Sequence, residues 1–263
     1  LLRILKYTIS SILAVILVFT YWYVEVNGTD DVKFNHIEIN DISLNYEDGI
    51  VTSDIIPIID NLEDVPSAYF GEHFKKHLPL RIYILNSEES YNKLVHRIPN
   101  ATLVETEGIY FLNRIILNGS SQYFSLDRLL LHEYAHYMLD EVCFELGIRE
   151  GSLPQWFREG FSEYVSRKEL NDIPQSLSKG IELIDLGKLT KNERFHEIIN
   201  SYEISYIFLN DMMVRFGTGV VEDIMIDLAS TKNFNESFYN ITNIPLEQYH
   251  ESIELSLLVT KRK

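Results

Sequence analysis

The sequence predicts an α+β fold, a small mixed sheet lobe followed by a helical lobe, behind one N-terminal transmembrane helix. The prediction rests on a charge-free apolar run near the start, alternating apolar residues between 36 and 119, and nearly continuous helical patterning after 126. The 263 residues suffice for one span, a short neck and a compact domain that can divide into two lobes. The expected boundaries are 1–26 for the anchor, 27–33 for the neck and 34–263 for the folded domain.

From Tyr7 to Val24 no residue is charged, which is about the length a bilayer-spanning helix needs. Arg3 and Lys6 precede this run, while Glu25, Asp30 and Asp31 follow it. That asymmetry predicts a cytoplasmic N-terminus and a domain outside the cell membrane. Tyr21, Trp22 and Tyr23 suit an interfacial aromatic belt. No small-x-small cleavage site follows the apolar run, so an uncleaved anchor is expected.

His36–Tyr46 reads as a strand through Ile37, Ile39, Ile42 and Leu44, interrupted at Asn40-Asp41. A helix from about Ser53 to His77 follows, bent or broken near Pro57 and Pro66. Leu80–Leu85 is a short apolar strand, and Ser87–Val95 is a helix opened by a serine cap. Gly108–Gly119 brackets further strand material. Leu126–Leu146 holds strong helix formers without Gly or Pro, with Ser125 as a cap and Gly147 as a stop. Pro154 is well placed to open another helix, since its missing N–H would lack a partner there anyway. Later helices are expected over Ile181–Leu186, Lys191–Asn200, Ile204–Phe216, Val220–Ala229 and Leu246–Leu258.

A net charge of −16 argues against a nucleic-acid partner. Cys143 is the only cysteine, so no intrachain disulfide exists.

Residues 132–136 read His-Glu-Tyr-Ala-His. On a helix, His132 and His136 lie one turn apart on the same face, where two imidazoles can converge on a metal. Glu133, beside the first ligand, can take a proton from a water on that metal. One class of zinc peptidase needs Gly and His at the positions held here by Leu139 and Val142, which excludes it. A glutamate from a later helix is the other source of a third ligand. In Leu153–Tyr164, Glu159 can supply it and leave the fourth position open. Glu163 shares its face, four residues on; one carboxylate can bind metal while the other holds a histidine N–H. A structural zinc site would ordinarily have four protein ligands, and only three are found.

His-Glu-Tyr-Ala-His followed by Pro-Gln-Trp-Phe-Arg-Glu-Gly-Phe-Ser-Glu-Tyr resembles the gluzincin metallopeptidases, and most of all the small bacterial peptidase MA-like domains. The resemblance runs from about Phe34 to the end, with only the two motifs specific. It implies a thermolysin-like zincin catalytic domain holding one Zn2+ per chain. His132, His136 and Glu159 would bind the metal, and Glu133 would be the general base. It also implies a donor to the oxyanion downstream of the third ligand; Tyr202 is the first choice, Tyr206 the second and His196 the third. The Gly108–Gly119 strand would bind substrate as an added strand. The Gly-x-Met-Glu-Asn motif of the related aminopeptidases is absent, so aminopeptidase activity is not expected. The expected protein is a membrane-anchored, extracytoplasmic zinc peptidase acting on an unidentified peptide or protein. Its alternative is an inactive, membrane-anchored binding or scaffold protein that keeps the peptidase fold.

Overall fold

Asn40 and Asp41 reverse the chain rather than interrupting one strand. β1 (Asn35–Ile39) and β2 (Ile42–Tyr46) pair antiparallel with Ile39 opposite Ile42, and Asn40 adopts the left-handed conformation at φ 51°. The computed structural model of the chain describes residues 32–98, 106–149, 151–170 and 191–260; the side chains of 191–200 and 254–260 lie outside that description. β3 (Leu80–Leu85) runs parallel to β2, and β5 (Arg114–Asn118) parallel to β3. β4 (Gly108–Phe111) closes one edge antiparallel to β5, giving a five-stranded sheet in the order β1-β2-β3-β5-β4. The segment expected to supply one strand next to the metal helix therefore supplies two, with β4 alone at the edge.

Pro57 and Pro66 start helices instead of bending one. Pro57 lies in the first turn of α1 (Ile56–Asn61), and Pro66 precedes α2 (Ser67–Phe70), which runs into a short 3-10 turn. α3 (Glu88–Val95) begins where the Ser87 hydroxyl accepts the Ser90 N–H. α4 (Leu126–Glu145) is buried on nearly every side, packed on β4 and β5 and on α5 (Gln155–Glu169). α6 (Lys191–Phe216) is continuous through Ser201–Glu203, where the patterning predicts two helices. α7 (Val220–Thr231), α8 (Phe234–Thr242) and α9 (Leu246–Thr260) complete the helical part. α8 has no counterpart in the sequence reading, although Asn233 caps it by accepting from the N–H groups of Asn235 and Glu236. The helix expected over Ile181–Leu186 lies outside the described residues.

The sheet is covered on both faces. Ile42, Leu44, Ile82, Ile84, Ile115 and Leu117 join α4 in the main core, while Tyr83, Leu85 and Ile116 pack under Tyr91, Leu94 and Val95 of α3. Each such side chain, fully buried, contributes about 1.5–3 kcal/mol of transfer free energy. α4 is thus a rigid beam between sheet and helices, and residues 132–136 sit in its middle.

The transmembrane helix expected in front of the domain is corrected. Among the described residues no helix is long and apolar enough to cross a membrane. The long helices carry charge along their length: α4 has Asp127, Arg128, Glu133, Asp140, Glu141 and Glu145, and α6 has Glu203, Asp211 and Arg215. Charged side chains at bilayer depth are too costly for such a helix to span. The apolar run within 1–26 that raised the expectation lies outside the described residues. The described fold is mixed α/β around a five-stranded sheet, without a spanning helix. The expected localisation, single-pass in the cell membrane with the domain outside, falls with that helix.

Candidate metal centre

His132 and His136 stand one turn apart on α4, with ring centroids 5.0 Å apart and exposures of 8% and 9%. Glu159 reaches them from α5. Its Oε2 lies 3.4 Å from His132 Nε2 and 3.5 Å from His136 Nε2. Each of the three residues offers a ligand atom within 4.8 Å of the others. Two features of this cluster fit a metal ion. Nitrogen and oxygen ligands held about 2.0–2.1 Å from a tetrahedral zinc are separated by roughly 3.3–3.4 Å, close to the observed spacings. These spacings are long for charge-assisted hydrogen bonds, and Glu159 Oε2 is buried without a hydrogen-bond partner. A cation among the three would satisfy that oxygen.

Two glycines make room for the arrangement. A Cβ at Gly160, next to Glu159, would lie 2.4 Å from the Ser205 carbonyl oxygen, so glycine lets α5 and α6 pack backbone to backbone. That contact seats the helix that carries Tyr202 beside His132. A Cβ at Gly108 would lie 2.9 Å from Glu133 Oε1, so glycine at the start of β4 lets the carboxylate rest there without being displaced.

The partner of His132 on its other side is Glu163. His132 Nδ1 donates to Glu163 Oε1 at 3.1 Å, which leaves Nε2 facing Glu159. Glu163 Oε2 accepts from Arg128 Nη2 at 2.8 Å and from Arg167 Nε at 2.9 Å. Arg167 also bonds Glu203 on α6. Neither arginine belongs to the set picked out from the sequence. Both carried a local signal, since Arg128 is four residues before His132 and Arg167 four after Glu163.

The electrostatics separate the roles of the acidic groups. Burial raises the Glu159 carboxyl, but the facing His136 and His132 imidazoles outweigh it and hold the group well below the usual carboxylate range. Burial likewise opposes ionisation of Glu163, and there His132 and the two arginines prevail, lowering it to about 2. Glu133 goes the other way. Burial raises its carboxyl, and the two histidines offset only part of that rise. For His132, burial disfavours the imidazolium, yet Glu159 and Glu163 overcome this and push it up to about 10.

The three candidates for an oxyanion donor fall in different places. The Tyr202 ring lies 5.6 Å from the His132 ring, centroid to centroid. Burial, with Glu159, Glu133 and Glu163 nearby, raises its phenol well above the ordinary value and keeps it a donor at neutral pH. Tyr206 instead lies under Arg167, with the guanidinium carbon 4.8 Å from the ring centre. His196 falls on α6 at a position whose side chain is outside the described residues.

No family model matches the chain. The chain is similar to the uncharacterized protein YhcO of Bacillus subtilis (strain 168), with 24% identity over 132 residues, covering 48% of this chain. The match spans 40% of that relative's length. At this identity and coverage the similarity brings no activity with it.

Proposed function

We propose that this chain is a zinc-dependent peptidase. The observation that carries the reading is the convergence of His132, His136 and Glu159 at tetrahedral-edge spacings around a buried carboxylate oxygen that lacks a hydrogen bond. The resemblance of the two motifs to the gluzincins supports the same assignment. A zinc ion held by these three residues would supply Lewis acidity, polarising a peptide carbonyl and acidifying a water.

The remaining steps belong to the chain's own groups. β4, an edge strand among the described residues, can take an extended peptide as an added strand, leading its carbonyl past Glu133. Glu133, raised by burial toward the working pH, accepts the proton of the attacking water and passes it to the departing amine. Tyr202 donates its O–H to the carbonyl oxygen as negative charge develops. Glu163 keeps the His132 proton on Nδ1, so Nε2 stays available as a ligand.

Zinc content and peptide-library hydrolysis of the wild type, beside Glu133→Gln, test the reading. The wild type is expected to hold about one zinc per chain and to cleave peptides. Glu133→Gln should retain that zinc while losing at least about 100-fold in rate, the scale of general acid–base catalysis. A folded wild type that takes up no zinc sinks the hydrolase reading, whereas zinc without any cleavage leaves a binding protein that keeps the fold.

A further inference from the structure

A single buried guanidinium touches both the metal side and the phenol side of the site. Arg167 is 4% exposed. Its Nε donates at 2.9 Å to Glu163, whose other oxygen holds His132 Nδ1. Its Nη2 donates to Glu203, and its guanidinium carbon lies 4.8 Å from the Tyr206 ring centre. Glu203 and Tyr206 are both on α6, one residue and one turn beyond Tyr202. The attachment points on α6 therefore sit beside the phenol. Arg128 ties Glu163 back to α4, so α4, α5 and α6 are joined in one chain of charged contacts.

We propose that Arg167 is a positioning residue that couples the orientation of His132 to the seat of Tyr202, through one guanidinium shared between Glu163 and Glu203. Arginine suits the task because its planar fork serves two carboxylates at fixed angles while its face packs on an aromatic ring. Lysine, a point charge, cannot hold both directions at once. Burial raises the stakes, since a carboxylate that loses its countercharge here has little water to replace it. The proposal rests on the metal-centre reading above and adds that one side chain seats both halves of the centre, the His132 half through Glu163 and the Tyr202 half through Glu203.

The test uses the full chain loaded with zinc or with cobalt(II), in three forms: wild type, Arg167→Met and Glu203→Gln. Three signals are read: zinc affinity by chelator competition, the downfield Nδ1–H proton resonance of His132 in the zinc form, and the paramagnetic shift of the Tyr202 ring in the cobalt form, assigned with Tyr202→Phe. Arg167→Met is expected to weaken zinc about tenfold or more and to move both resonances. Glu203→Gln is expected to move the Tyr202 signal and leave the His132 proton and the zinc affinity in place. A folded Arg167→Met protein with both resonances at their wild-type positions overturns the proposal. Should that variant fail to fold, an unmoved Tyr202 signal in Glu203→Gln overturns it equally. A wild type that binds neither metal removes the metal reading itself, and that failure is seen before any variant is made.

Discussion

Glu159 and Glu163 lie one turn apart on the same helix, share a side-chain chemistry and face the same histidine, yet their surroundings differ. Both oxygens of Glu163 are committed, one to His132 and the other to Arg128 and Arg167. Glu159 Oε2 faces two imidazole nitrogens at 3.4 and 3.5 Å and accepts no hydrogen bond. Charge alone does not distinguish the two, because both are held ionised below the ordinary range. The difference is geometric. A carboxylate saturated by donors is a support, and one left with an open buried oxygen between two imidazoles is a ligand in waiting.

The comparison breaks most decisively at Glu159. Glu159→Ala should lower zinc affinity by more than the roughly 100-fold that losing an outer partner can cost. Chelator competition at fixed pH measures it. A loss smaller than that of Glu163→Ala would reverse the two roles. Glu163→Gln comes next, with zinc affinity about 10- to 100-fold weaker. It should also lower unfolding free energy by about 3–5 kcal/mol, because Arg128 and Arg167 would keep their charge without its buried counterpart. Denaturant unfolding of the metal-free protein checks the second number.

A third effect sharpens the contrast through pH. In the metal-free protein His132 is raised to about 10 from an ordinary value of 6.5, with Glu159 and Glu163 as the raising causes. A raised histidine adds stability that is fully present below about pH 6.5 and is lost as pH climbs through about 10. The proton at Nε2 faces Glu159 and must leave when a metal takes that nitrogen. Zinc affinity should therefore rise about tenfold per pH unit between pH 7 and 9. Glu163→Gln removes one raising cause, so its slope should flatten at a lower pH than in the wild type. Parallel slopes would mean that Glu163 does not govern the His132 proton.

The two glutamates also mark how far the sequence could be read. The spacing of His132, His136, Glu159 and Glu163 showed which side chains share a helix face. Spacing alone left open which carboxylate is free to bind a metal, since that depends on Arg128 arriving from another helix, 35 residues away. Local signals served the elements unevenly. Ser125 and Gly147 lie at the two ends of α4 as expected, though the Ser125 hydroxyl makes no capping hydrogen bond, and Leu80–Leu85 is β3. Asn40-Asp41 is more than an interruption of one strand, since the step from Ile39 to Ile42 breaks the alternation as a turn does. The order β1-β2-β3-β5-β4 joins distant segments in parallel, and no nearby residue announces such pairing. The closeness of α5 to α6 was equally hidden. Only the packed helices show why residue 160 is glycine, with the Ser205 backbone against it.

Gly160 offers the smallest and most selective perturbation. Alanine there sets a Cβ 2.4 Å from the Ser205 carbonyl oxygen, and because the obstacle is backbone, α6 must move away from α5. Overpacking of this kind costs about 1–3 kcal/mol, read as a lower unfolding free energy. Glu159 and Glu163 both sit on α5, and the histidines sit on α4, so the proposed ligands need not follow α6. Zinc affinity in Gly160→Ala should then fall less than in Arg167→Met, because Arg167 touches Glu163 directly and Gly160 does not. Tyr202 rides on α6 and does follow, so peptide cleavage should fall while zinc is retained. A large loss of zinc would mean instead that the seating of α6 holds Glu159 in place, and the division between ligand and support would extend beyond the two turns of α5.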